Sequence, residues 1–95
     1  MKVFSRRPGV ELLEVSGEYL LVATKAARDA CPYVTQINAA AADYWKLFDR
    51  PYTAAEFLER VMQTSGKEKK EVLILLMAFF SKLSKSGYLM EEDVE

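Results

Sequence analysis

At 95 residues the chain makes one domain, small enough that a single core is its only source of stability. Hydrophobic residues make up 51% of it, so such a core can be buried and extended disorder is excluded away from the ends. The net charge of −1 excludes the clustered, uncompensated Lys and Arg on which phosphate binding depends, so no nucleic-acid partner is expected.

The opening residues, Met1 to Pro8, read as a loose arm carrying Arg6 and Arg7. Val10–Val15 (VELLEV) and Tyr19–Ala23 (YLLVA) are short apolar runs separated by Ser16-Gly17-Glu18, a spacing that signals a hairpin. Thr24 to Pro32 is a polar, alanine-containing loop, and the position before Pro32 favours an extended chain. Tyr33–Ile37 (YVTQI), β-branched and aromatic, is then a third strand. Asn38 caps a helix over Ala39–Phe48, whose four alanines let it lie close against a neighbour. Thr53 with Glu56 forms a capping box for a second helix reaching about Thr64. Ser65-Gly66-Lys67 turns the chain into a third helix, from about Glu68 to Ser86, stopped by Gly87. Tyr88–Met90 adds a short strand or simply packs, and the acidic tail Glu91–Glu95 frays. The expected architecture is α+β and winged helix-turn-helix-like: three short N-terminal strands followed by three helices, in one domain.

Two features exceed what a small core needs. A sheet of three short strands leaves an edge whose N–H and C=O groups are open to another chain. On the third helix, Val72, Leu75, Leu76, Phe79 and Leu83 form the ordinary core stripe, and Leu73, Met77 and Phe80 widen the apolar arc beside it. The helix is thus either deeply buried or one wall of a peptide groove lined by Leu73, Met77 and Phe80. Lys69 and Lys70 at its start suit an acidic peptide, or simply make a solvated face.

Catalysis finds little support. With no histidine and one cysteine, the chain can build neither a zinc cage nor a Cys–His or Ser–His dyad. No phosphate-binding glycine loop is present, so no cofactor or metal is expected. The lone cysteine, Cys31, excludes an intramolecular disulfide and suits a reducing compartment. The N-terminus lacks the apolar run of a signal peptide and no stretch reaches membrane-spanning length. A cytoplasmic protein with no membrane partner is expected.

Several segments together resemble the PqqD family, also called RiPP recognition elements, small peptide-binding domains of ribosomal-peptide modification systems. They are Arg7-Pro8-Gly9-Val10, Gly17-Glu18-Tyr19-Leu20-Leu21-Val22, Ile37-Asn38-Ala39 with Ala41, Ala42, Trp45 and Leu47, Tyr52-Thr53 with Glu56-Phe57, and Phe79 with Leu83 and Gly87-Tyr88-Leu89. The resemblance spans nearly the whole chain. It implies a non-catalytic adaptor that binds the leader of a precursor peptide as an added strand. The adaptor would present that leader to a modifying enzyme such as the radical-SAM maturase of pyrroloquinoline quinone synthesis. It implies a binding edge at Tyr33, Val34, Thr35, Gln36 and Ile37, and a groove wall at Lys70, Leu73, Met77 and Phe80. The chain departs from the family's pattern in its long Thr24–Pro32 connection and at Asp49-Arg50-Pro51. Two other readings stay open: a winged-helix DNA-binding regulator, and a structural subunit whose apolar face is consumed by homodimerisation.

Overall fold

The computed structural model describes residues 1–94. Its elements are β1 (Lys2–Arg6), β2 (Val10–Val15), β3 (Glu18–Ala23), β4 (Val34–Ile37), α1 (Ala39–Leu47), α2 (Ala54–Thr64), α3 (Lys69–Ser86) and β5 (Leu89–Asp93). The three expected strands (β2, β3 and β4) and the three helices are present in the expected order, giving the winged-helix-like α+β fold. β2, β3 and β4 form one antiparallel sheet in that spatial order. The β2–β3 connection is tighter than the spacing suggested. Val15 pairs with Glu18, leaving only Ser16 and Gly17 in the turn, both at positive φ (52° and 81°). That is the turn whose twist matches antiparallel strands, and it needs a glycine-like backbone at both positions.

The ends of the chain correct the sequence reading. Residues 1–8 are not a loose arm: Lys2–Arg6 forms β1, paired antiparallel with β5 from Lys2↔Asp93 to Arg6↔Leu89. Most of the acidic tail is likewise ordered, since Glu91–Asp93 belongs to β5 and the Val94 N–H donates to the Met1 carbonyl at 2.8 Å. Glu95 lies outside the described residues. The pairing joins positions more than eighty residues apart, so no local pattern announces it. Its reward is tertiary: Phe4 meets Phe80 at 4.7 Å between ring centroids and exchanges both backbone hydrogen bonds with Tyr52.

The helices start where their caps allow. Asn38 accepts from the Ala41 N–H at 2.8 Å, and Thr53 and Glu56 satisfy each other's backbone N–H groups at 3.1 and 2.9 Å. α3 ends at Gly87, whose φ of 86° is left-handed; a Cβ there would collide with the Ala30 carbonyl oxygen. Helices and sheet meet in an aromatic core. Phe48, Phe57 and Phe79 lie within 6.4 Å of one another, with Tyr44 set edge-on to Phe57 and Phe79. Each such ring, fully buried, contributes about 1.5–3 kcal/mol. Among the described residues no helix is long and apolar enough to cross a membrane.

Candidate functional site

Among the described residues, β4 has a neighbour on one side only. The Ala23 N–H donates to the Tyr33 carbonyl at 2.8 Å, and the pairing continues in that register through Leu21↔Thr35 and Tyr19↔Ile37. In an antiparallel pair, bonded and non-bonded positions alternate. Tyr33, Thr35 and Ile37 therefore bond to β3, while Val34 and Gln36 aim their N–H and C=O groups at the open edge. One contact confirms that direction: Lys82 Nζ, reaching over from α3, donates to the Gln36 carbonyl at 3.2 Å.

Side chains alternate as well. Ile37 is buried and Thr35 half-buried, both facing the core, whereas Val34 and Gln36 are exposed on the outer face. The fully buried Tyr88 fixes the strand from beneath. Its hydroxyl donates to the Pro32 carbonyl at 2.7 Å, which leaves it to accept from Thr35 Oγ1 at 2.8 Å. Burial pushes the Tyr88 hydroxyl above its ordinary pKa, so it stays a neutral donor.

Between this edge and α3 lies a narrow hollow of about 80 Å³. Ile37, Asn38, Ala40, Ala41 and Tyr44 line one wall, and Leu75, Ala78, Phe79, Lys82 and Leu83 the other. Alanines on both walls keep it open, because any longer side chain at Ala41 or Ala78 would project into it. Lys82 is the only charged side chain in the lining. Tyr44 is pushed up in pKa by burial and then by the charges of Asp43 and Glu71. An extended peptide laid along β4 would thus find backbone partners on one side and an apolar slot with one ammonium on the other.

The residues expected from sequence fall into two groups that the fold does not bring together. Val34 to Ile37 form the open edge, and Tyr33, just before it, is 57% exposed beneath the Arg28 guanidinium at 4.4 Å from its ring. Leu73, Met77 and Phe80 do not wall this edge. They lie on the opposite flank of α3, in a separate groove of about 470 Å³ shared with Phe4, Ala54, Ala55, Leu58 and Leu76. Lys70, exposed in the first turn of α3, lies on that same helical arc. The expectation that these four complete the β4 groove is therefore corrected. Helical period shows how wide an apolar arc is, but not which flank meets the sheet. Of the α3 residues that line this hollow, Leu75, Phe79 and Leu83 were expected only in the core stripe, and Ala78 and Lys82 were not expected at a site. Their signal was the small residue Ala78, opposite the alanine run of α1.

Cys31 offers no chemistry: its thiol is buried, donates to the Ala27 carbonyl at 3.2 Å, and is raised in pKa by burial. Among the described residues no group of three or more His, Cys, Asp or Glu is placed to hold a metal.

Two solved structures share this fold. One, described as TbiB1 in complex with the TbiA(beta) leader peptide, has a TM-score of 0.64 at 13% identity, covering 96% of this chain and 99% of that one. The other, described as lasso peptide synthetase B1 complexed with the leader peptide, has a TM-score of 0.62 at 17% identity, covering 92% and 96%. At such identities the likeness is one of fold. No protein-family model and no curated protein matches the sequence.

Proposed function

We propose that this chain is a non-catalytic adaptor that binds the leader of a ribosomally made precursor peptide by strand addition to β4. The observation that carries the reading is the outward-facing backbone of Val34 and Gln36 beside the hollow between α1 and α3. Main-chain bonds supply affinity and the hollow supplies selectivity. The two solved structures of the same fold are both described with a leader peptide, which supports a leader over any other extended segment. In this reading the bound leader is presented, in the cytoplasm, to the modifying enzyme of the same pathway. A radical-SAM maturase of the pyrroloquinoline quinone type and a lasso-peptide synthetase are the two candidates.

Fluorescence anisotropy with labelled leaders of the small peptides encoded beside the gene tests this. Saturable binding that is lost in Gln36→Pro, with the circular dichroism spectrum unchanged, is the expected result. Binding unaffected by Gln36→Pro overturns strand addition.

A second reading, self-association, has one observation in its favour: Leu73, Ile74 and Met77 are 39%, 63% and 71% exposed on one face of α3. Sedimentation across a concentration series, wild type against Met77→Glu, decides it.

A further inference from the structure

The contact between Lys82 and the Gln36 carbonyl places a cation on the β4 edge, where the proposed strand would add. No ion pair holds it: the described residues pair Lys2 with Glu91 and Arg60 with Asp49, and Lys82 joins neither. β4 (VTQI) carries no charge, and the α3 residues one turn from Lys82 are Ala78, Phe79, Lys85 and Ser86. The ammonium has three donors and spends one on Gln36, whose carbonyl keeps a second lone pair for an incoming N–H. A docked strand would strip water from Lys82 without supplying a counter-charge, unless the peptide brings one. Desolvation makes that vacancy costly and a carboxylate there correspondingly favourable.

We propose that Lys82 selects the peptide, pairing with an Asp or Glu located two residues from the apolar side chain that fills the hollow. The spacing follows from geometry. Ala78 and Lys82 are one turn apart on α3, about 6 Å along the helix axis. Residues i and i+2 of a strand share a face and are separated by about 6.6 Å. One peptide face thus presents an apolar residue to Ala78 and a carboxylate to Lys82. A basic residue at that position is repelled, which makes the cation a filter against wrong peptides as well as a contact for right ones. The proposal rests on the strand-addition reading and adds the chemical class of peptide to it.

A phage-displayed library of random 14-residue peptides, selected separately on wild type and Lys82→Glu, tests it. Wild type should enrich Asp or Glu at a spacing of two from an apolar residue, and Lys82→Glu should replace that acid by Lys or Arg. Exchanging the selected acid for its amide should weaken binding to wild type about three- to tenfold, and by less than twofold in Lys82→Met. Lys82 is exposed, so both variants keep the fold, which amide NMR spectra check. Peptides that shift the Val34 and Gln36 amides yet show no acidic position overturn the role of Lys82 alone. Selected peptides that leave those amides unmoved, or a selection that yields no binder, overturn strand addition and this proposal with it.

Discussion

Tyr88 shows how much rests on one atom. Its hydroxyl ties the Pro32 carbonyl and the Thr35 hydroxyl to the end of α3, and so sets where β4 lies against the helix. Tyr88→Phe should cost about 0.5–1.5 kcal/mol, seen as a lower midpoint in urea, because the half-buried Thr35 hydroxyl and the Pro32 carbonyl both lose their partner. The Gly87-Tyr88-Leu89 signature was legible in the sequence as a helix stop followed by an apolar anchor. The partners of the hydroxyl were not, since they lie more than fifty residues away. The capping box at Thr53 and Glu56 was legible in full, because it is built from residues three apart. Thr53→Ala should cost about 1 kcal/mol near neutral pH. Glu56 is held below its ordinary pKa, first by the Thr53 backbone N–H. Its contribution is therefore present above the unfolded-state pKa near 4.5 and fades as pH falls through the lower folded value. The gap between wild type and Glu56→Gln in urea titrations should close on acidification below about pH 4. A gap that is constant with pH contradicts this.

At the scale of elements, β4 and α3 divide the work of the site, and the two were unequally legible. The β-branched run and its pre-proline start gave the strand within one residue, and its place at the sheet edge followed from the hairpin before it. The width of the apolar arc of α3 was also legible from its period. Its orientation was not, because Phe4 of β1 covers Phe80 and draws that flank away from β4. The flanks can be told apart by substitution. Ala78→Leu fills the hollow from an exposed position, so it should weaken leader binding tenfold or more without lowering stability. Met77→Ala, on the far flank, should change that affinity by less than twofold. Calorimetric titration of both variants checks the pair, and the opposite order would return the site to the Leu73–Met77–Phe80 groove.

At the scale of the whole molecule, the β1–β5 ribbon clasps the two ends of the chain over the helices. It was the part least legible in sequence: Lys2–Arg6 pairs not with β2, the strand across the Pro8-Gly9 turn, but with a largely acidic strand more than eighty residues away. Phe4→Ala should cost about 2 kcal/mol, read as a fall in the thermal midpoint, through lost packing on Phe80. Leader affinity should stay unchanged, because β4 and its hollow lie on the other side of α3. The central claim, that a peptide joins the sheet at β4, is tested most directly by amide hydrogen exchange with and without bound leader. Thr35 and Ile37 already bond to β3 and should show little change, while Val34 and Gln36 should gain protection together. Protection that appears on the Leu73–Phe80 face, with Val34 and Gln36 exchanging as freely as before, would contradict it.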